Sequence, residues 1–391
     1  MHIALMLMKT NTTKFSVLLP ILFSFYVMGF VDIAGVSVSF VKQDFGLSDK
    51  VANLIPMMVF LWFAVLSIPF GNMMNRTGRK KMVLWSAVIT TVSMVLPLIK
   101  YNFPVILVCF ALLGIGNTML QVSLNPLMAD VAEKKRLASM LSLGQFIKAI
   151  ASTLGPILLS LVTGLFGSWK YIFPTYAVLT LISWIWLAGV HIDEQSQVQE
   201  GRQSVFSLLK DRNILVLFTV IMLSVGFEVG LITTVPKFLQ ESFGTPLERG
   251  GYACSLYYLA RTVGTFLGCI ILTRVSPRLY QIVTVALGVV AYAGFMLLHT
   301  EWLAFGLLIC IGLFCANIFP VTLGFALQYK PEQPNEISSL MITGVAGGAI
   351  LPPLVGILAD ATTQQTSLVI PLAALVYILI MTVIFKESKS I

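Results

Sequence analysis

The chain has 391 residues, of which 57% are hydrophobic and only 11% are charged. Soluble globular proteins carry about 25% charged residues, so this composition excludes that class and indicates an integral membrane protein. The net charge of +8 does not indicate a nucleic-acid partner, because the basic residues lie in short segments between apolar runs. The five cysteines lie within apolar runs without a CxxC motif, so we expect no disulfide framework, metal or cofactor.

Twelve apolar runs are long enough to cross a bilayer as helices, and we number them as spans in chain order. They cover residues 15–41, 51–74, 81–99, 103–130, 137–166, 170–190, 214–240, 249–275, 278–298, 302–328, 336–360 and 366–386. The first run is too long for a removable signal peptide and lacks a cleavage site, so we interpret it as a retained span. The polar stretch 191–213 separates two sets of six. We therefore predict an all-α membrane protein with an N-terminal six-helix bundle (1–190), a linker (191–213) and a C-terminal six-helix bundle (214–391).

Lys and Arg are distributed unevenly between the two sets of alternating linkers and tails. The set that includes both termini holds 17 of them and the other set holds six. By the positive-inside rule, both termini are expected in the cytoplasm. The segments FVKQDFGLS (40–48) and KFLQESFGT (237–245), which follow the first and seventh spans, indicate that the two halves are parallel repeats with pseudo-symmetry.

Two acids and two cations lie well inside the apolar runs, away from their ends. Asp32 is in the first span, Glu228 in the seventh, Lys148 in the fifth and Arg261 in the eighth. An ionised carboxylate at the centre of a span costs about 2.5–3.5 kcal/mol, so these side chains are expected to face protein or water. Asp32 and Glu228 are therefore candidate carriers of a coupled proton, with Asp32 preferred and Glu228 alternatively a ligand of substrate hydroxyls. Salt bridges between the acids and cations are the structural alternative.

Amide side chains form a polar stripe on the fourth span. Asn117, Gln121 and Asn125 recur every four residues, which places them on one helix face. The fifth span continues the pattern with Ser142, Gln145, Lys148 and Ser152. Amides both donate and accept hydrogen bonds, as recognition of a hydroxyl-rich ligand requires. The alternative is interhelical hydrogen bonding, worth about 0.6 kcal/mol per bond.

The loop after the second span, GNMMNRTGRKK (71–81), resembles the loop motif of the major facilitator superfamily. Gly71, Arg76, Gly78 and Arg79 fit the motif. Asn75 stands where the family usually has an acid that braces a contact between the two halves. The resemblance thus implies a gating role for this loop with a weaker contact here, while the alternative is that its basic residues only fix the topology.

Several stretches resemble the fucose, galactose and glucose permease branch of that superfamily, namely VSLNPLMADV, LSLGQFIKAIASTLGP, SVGFEVGLITTVPKFL, LARTVGTFLG, ANIFPVTLGFAL and SSLMITGVAGGAILPPLVGILAD. The resemblance implies import of a neutral monosaccharide with a proton, with coupling acids in the first and fourth spans. Asp32 matches the first, but Gln121 stands where the branch has Glu, and Lys148 where it has Asn. Arg261 and Asn317 lie within the matching stretches and are candidate substrate ligands.

The function predicted from the sequence is that of a secondary active transporter of a bacterial inner membrane that imports a monosaccharide by proton symport. The expected partners are the sugar, protons and the lipid bilayer, with no nucleic acid, and the chain is expected to be a monomer. A carrier of an anionic sugar or organic acid, or a drug exporter, remains an alternative. Because the sequence has no GxxxxGK[ST] loop, HExxH or GxSxG motif, an enzyme is not expected.

Overall fold

The computed structural model describes residues 12–47, 51, 54–194, 205–245, 247–297 and 300–385. Residues 195–204 of the predicted linker lie outside this set. Within it, every regular element is a helix. The α-helices of the first half are Thr12–Met28, Ile33–Phe45, Leu54–Thr77, Arg79–Ile99, Phe103–Val131, Leu137–Phe166 and Ile172–Ala188. Those of the second half are Arg212–Phe243, Leu247–Ile271, Pro277–Leu297, Glu301–Cys315, Ile318–Tyr329, Pro334–Thr343, Gly347–Ala361, Gln364–Ser367 and Val369–Ile384.

The helices confirm the prediction of an all-α chain of membrane-spanning segments. Among the described residues, 11 helices are long and apolar enough to cross a membrane, and they match the second to twelfth predicted spans. The first span differs because a 3-10 turn, Gly29–Asp32, divides it into two helices. Its first part appears as a shorter apolar helix, Ser16–Asp32.

Matching glycines end the first and seventh spans. Gly46 and Gly244 both adopt a left-handed conformation, with φ of +60° and +67°, which glycine adopts without steric cost. Each follows a phenylalanine in the two segments identified as repeats, Phe45 and Phe243. The Phe-Gly pair is therefore a helix-stop signal at matching places in the two repeats, and Phe166-Gly167, with φ of +73°, ends the fifth span in the same way.

The tenth and eleventh spans are also interrupted. The tenth has a turn at Ala316–Asn317 between its two helices, and the eleventh has a 3-10 turn, Gly344–Ala346. Irregular backbone inside a membrane protein persists where neighbouring protein groups satisfy the freed carbonyl and amide groups. The interruptions therefore indicate places where other spans supply hydrogen bonds or close contacts.

Contacts divide the chain into two compact units. Unit 1 comprises Met1–Lys134, Ile147–Arg202 and Glu332–Thr343, and unit 2 comprises Lys135–Phe146, Gln203–Pro331 and Gly344–Ile391. Each unit thus contains a short part of a span that belongs, by chain order, to the other six-helix half. The predicted domain boundaries follow chain order, and they stay a prediction.

Small residues allow close helix packing inside each unit. A Cβ on Gly114 in unit 1 would lie 2.5 Å from the carbonyl oxygen of Val59, and one on Gly264 in unit 2 would lie 2.5 Å from that of Leu313. Packing, rather than a hydrophobic driving force, holds helices together in lipid, which explains these glycines at interfaces.

Candidate substrate and proton sites

Asp32 is the last residue of the turn that divides the first span. Its side chain is exposed, although it lies within an apolar run. One carboxylate oxygen accepts a hydrogen bond from the hydroxyl of Ser152 on the fifth span. The hydrogen-bond partner of this acid is therefore a neutral group. Sequence reasoning placed Ser152 on a polar face but did not identify it as a partner of Asp32.

Close contacts fix the turn that carries Asp32. A Cβ on Gly29 would lie 2.6 Å from the Lys148 carbonyl oxygen and 2.7 Å from the Cβ of Ala151, so only glycine fits against the fifth span. Phe30 stacks on Tyr176 of the sixth span, with ring centroids 4.0 Å apart and an interplanar angle of 6°. The turn is held on both sides within unit 1.

The three amides of the fourth span form one connected ladder. The Asn117 amide nitrogen donates to the Met28 carbonyl oxygen at 2.8 Å, and the Gln121 amide nitrogen donates to Asn117 Oδ1 at 2.8 Å. The Asn125 amide nitrogen donates to the backbone oxygen of Gln121 at 2.6 Å. The exposed fractions of Asn117, Gln121 and Asn125 are 2%, 6% and 1%. The predicted stripe therefore comes together, with its amide nitrogens engaged inside unit 1.

The polar face predicted on the fifth span is divided between the units. Lys148 and Ser152 belong to unit 1, whereas Ser142 and Gln145 belong to the segment of this span that lies in unit 2. Gln145 and Lys148 are half-buried. Their predicted roles as substrate ligands stay predictions.

Glu228 and Arg261 form an ion pair between the seventh and eighth spans. Glu228 Oε1 and Arg261 Nη1 are 2.7 Å apart, and the two side chains are 19% and 32% exposed. Of the two acids and two cations identified in the sequence, Glu228 and Arg261 thus form a salt bridge, which is the structural alternative given above. Both side chains are thus partly exposed rather than fully buried.

Asn317 lies at the interruption of the tenth span. It is 2% exposed, and its amide nitrogen donates to the Gly264 carbonyl oxygen at 2.8 Å and to the Tyr280 hydroxyl at 2.9 Å. A Cβ on Gly268 would lie 2.2 Å from this amide. Asn317 therefore joins the eighth, ninth and tenth spans within unit 2.

The loop motif contacts the beginning of the eleventh span. Asn75 donates to the Glu336 carboxylate, and the Asn335 amide donates to Asn75 Oδ1 at 2.5 Å. Arg79 Nε donates to Asn335 Oδ1 at 2.8 Å, and Arg79 forms an ion pair with Asp130, both side chains being at most 5% exposed. The acid that the motif usually carries at position 75 is thus supplied here by Glu336 from another span.

Two glycines of the motif have steric roles. A Cβ on Gly71 would lie 2.4 Å from the Cβ of Ser339, so this glycine allows the second and eleventh spans to touch. Gly78 has φ of +88°, which favours glycine. The next two residues, Arg79 and Lys80, begin the third span, and their backbone amides donate hydrogen bonds to the Glu194 carboxylate. A carboxylate at a helix N-terminus is stabilised by the helix dipole. Arg76 is exposed.

Sequence reasoning missed Glu336, Asp130 and Glu194 in this cluster. All three are acids near the ends of spans that the charge pattern places on the same side of the membrane as the basic loop 76–81. That shared placement was the available signal, because a basic loop attracts acids from neighbouring span ends.

Asp44 lies near the C-terminal end of the helix Ile33–Phe45, which continues the first span beyond Asp32. It accepts hydrogen bonds from the Tyr101 hydroxyl at 2.5 Å and from Trp169 Nε1 at 3.0 Å. The Lys170 ammonium is 3.8 Å from the same carboxylate and 3.7 Å from the centre of the Tyr101 ring. Burial, and then Asp44, raises the pKa of Tyr101 above its ordinary value, so the hydroxyl remains a donor at neutral pH.

Apolar spans in two units, with ionisable side chains retained between helices, define a multi-pass membrane protein of the transporter class. The chain belongs to the Major Facilitator Superfamily, whose family model matches residues 18–343 and 217–390. It is therefore a membrane transport protein rather than an enzyme.

The chain is also similar to individual members of that family. It is 24% identical over 378 residues to a glucose/galactose transporter of Brucella abortus biovar 1 (strain 9-941), with 90% of each chain covered. It is 23% identical over 370 residues to a putative glucose/galactose transporter of Helicobacter pylori (strain J99 / ATCC 700824), with 88% and 89% covered. Among solved structures it resembles FucP, with a TM-score of 0.85, 14% identity, and 95% and 99% covered.

Proposed function

We propose that this protein imports a monosaccharide together with a proton by alternating access. The observation that carries the proposal is Asp32, an exposed carboxylate in an interrupted span that is hydrogen-bonded to a neutral hydroxyl. The Brucella and Helicobacter relatives described as glucose/galactose transporters, each covering about nine tenths of the chain, support a hexose as substrate.

Asp32 is a better proton carrier than Glu228 because of their partners. Protonating Asp32 preserves a hydrogen bond with Ser152, since a hydroxyl can donate or accept. Protonating Glu228 removes the charge that balances Arg261, to which it is bonded at 2.7 Å. Separating such a pair inside a protein is costly. Asp32 can therefore exchange a proton at lower cost, and Glu228 is better suited to bind sugar hydroxyls.

A neutral substrate agrees with the charges of unit 2. Arg261, the cation expected to attract an anion, is already paired with Glu228. A carboxylate that accepts hydrogen bonds from neighbouring sugar hydroxyls, beside a guanidinium that donates them, forms a suitable site for a monosaccharide. Gln145 and Lys148 are additional candidate ligands on the fifth span.

The topology belongs to the same proposal. We place the protein in the inner membrane of a bacterium, surrounded by lipid, with both termini in the cytoplasm, because basic residues concentrate in one set of linkers and tails. In this orientation the loop motif and Glu336 face the cytoplasm. The transporter is proposed to act as a monomer.

Uptake into proteoliposomes tests the proposal. Glucose, galactose and fucose are offered with and without an inside-alkaline pH difference of one unit. Each proton carried with a sugar supplies about 1.4 kcal/mol, so accumulation of about tenfold is expected for the transported sugar. Equilibration without accumulation in the presence of the gradient contradicts proton coupling. Transport of none of the neutral sugars contradicts the proposed substrate class.

A further inference from the structure

We propose that Asn117 is a positioning residue for the coupled proton: its amide holds the interrupted turn of the first span that presents Asp32, and it does not bind the sugar. This inference rests on the proposed function. It assigns the buried amide of the fourth span a role different from the substrate contact that the sequence predicts.

The first step is the contact with the interrupted backbone. Met28 is the last residue of the helix Thr12–Met28, and its carbonyl oxygen accepts a hydrogen bond from Asn117 Nδ2 at 2.8 Å. The 3-10 turn that follows, Gly29–Asp32, has poorer hydrogen-bond geometry than an α-helix. An outside donor at the beginning of the turn therefore stabilises the conformation that ends in Asp32.

The second step concerns the orientation of this donor. Asn117 Oδ1 accepts a hydrogen bond from Gln121 at 2.8 Å, which directs the amide nitrogen of Asn117 towards Met28 rather than away from it. Asn117 and Gln121 are 2% and 6% exposed. A side chain this buried, with both ends of its amide engaged, has no surface to offer a sugar.

The third step is the opposite side of the turn. Gly29 contacts the Lys148 carbonyl oxygen and Ala151 so closely that a Cβ would collide. One turn further along the fifth span, Ser152 donates to Asp32. The turn is thus held between the fourth and fifth spans, and the position of Asp32 relative to Ser152 depends on both. Removing the Asn117 donor releases one of these sides.

The decisive comparison is Asn117→Leu against Thr118→Val. The two residues are adjacent on one helix and are 2% and 0% exposed, but the Thr118 hydroxyl donates to the Gly114 carbonyl oxygen of its own helix at 2.8 Å. Two properties are measured in proteoliposomes: the pH dependence of gradient-driven uptake, and the half-saturating sugar concentration in equilibrium exchange, which needs no net proton movement.

For Asn117→Leu, we expect the midpoint of the pH dependence to shift by about one pH unit, while half-saturation in exchange stays within about twofold. Thr118→Val is expected to retain the wild-type midpoint. Asn117→Ser, whose shorter donor reaches the carbonyl less well, is expected to give an intermediate shift, and it serves as the test if the leucine variant does not fold.

Three results overturn the inference. One is an unchanged pH dependence in both Asn117 variants. Another is a rise of about tenfold in half-saturation with an unchanged midpoint, which identifies a substrate ligand. The third is an equal shift in Thr118→Val, which identifies a general effect on the fourth span. Wild-type protein is measured first: uptake that does not respond to the pH gradient contradicts the proposed function itself, whereas a responsive wild type with unresponsive variants contradicts only the role of Asn117.

Discussion

The two acids inside the spans occupy contrasting environments. Asp32 of unit 1 ends a 3-10 turn and accepts a hydrogen bond from a neutral hydroxyl, whereas Glu228 of unit 2 lies in the uninterrupted helix Arg212–Phe243 and pairs with Arg261. A carboxylate with a neutral partner can lose its charge without leaving a cation unbalanced. The comparison teaches that the chemistry of the partner, rather than the residue type, separates the proposed proton site at Asp32 from the ion pair of Glu228.

Amide side chains differ between the units in the same way. Asn117 and Asn317 are both 2% exposed, and each donates to a backbone carbonyl of a neighbouring span. Asn117 supports an interruption in another span, but Asn317 lies at the interruption of its own. In unit 1 the Asn117 amide therefore bonds next to the turn that carries Asp32. In unit 2 the Asn317 amide joins three spans and has no bond to Glu228 among the described contacts.

The largest effect is expected from a substitution of Asp32, the acid with the neutral partner. Asp32→Asn removes the proton acceptor, so accumulation driven by a pH difference of one unit should fall from about tenfold to none, while sugar exchange continues. Asp44→Asn is the matched control, because Asp44 is on the same span but is held by Tyr101 and Trp169 at the other end. Gradient-driven accumulation that persists in Asp32→Asn assigns the proton to another group.

The next effect concerns the fixed pair of unit 2. Glu228→Gln leaves Arg261 without its carboxylate, and because both heads are partly exposed we expect a loss of roughly 1–3 kcal/mol in stability, less than for a fully buried pair. Glu228→Gln/Arg261→Gln should recover much of it, as measured by thermal unfolding in detergent. Sugar half-saturation should rise in both variants. A double variant no more stable than the single one contradicts a fixed ion pair.

A third acid extends the comparison to the loop motif. The Glu336 carboxylate also accepts a hydrogen bond from a neutral side chain, that of Asn75. Asn75→Asp restores the residue usual in the family, yet here it places two carboxylates in contact, and it should lower stability by about 1–2 kcal/mol in low salt. Adding Glu336→Gln should reverse the loss. If Asn75→Asp alone stabilises the protein, Glu336 does not take the place of the acid that the family usually has at position 75.

The sequence predicts the spans well because hydropathy and length depend on composition along the chain. The end of the second span and the whole fifth span, Leu137–Phe166, agree with the expected ranges to within a few residues. The polar ladder of the fourth span follows from helical periodicity. The interruption at Gly29–Asp32 could not be predicted in this way, because the amide of Asn117 that donates to the Met28 carbonyl oxygen beside it lies 89 residues away in the chain.

Long-range pairing explains the other differences between sequence and structure. The hydrogen bond between Asn75 and Glu336 joins residues that are 261 apart in sequence. The local loop motif therefore could not predict that the acid of this contact comes from the eleventh span. The close approach of Gly71 to Ser339 is equally invisible from either segment alone. One sequence reveals which residues are polar inside a span, while the identity of each partner depends on tertiary packing.

The smallest expected effect sharpens the comparison at the hydroxyl itself. The Ser152 hydroxyl donates a hydrogen bond to Asp32 and so helps to hold this carboxylate in position. Ser152→Ala should therefore lower the rate of gradient-driven uptake by only about twofold, because the acid is exposed and water replaces much of the bond. Thr153→Ala is the control, since its hydroxyl bonds to the Ala149 carbonyl of its own helix. An unchanged rate in Ser152→Ala, or an equal fall in both variants, means that this hydroxyl does not position the first-span acid.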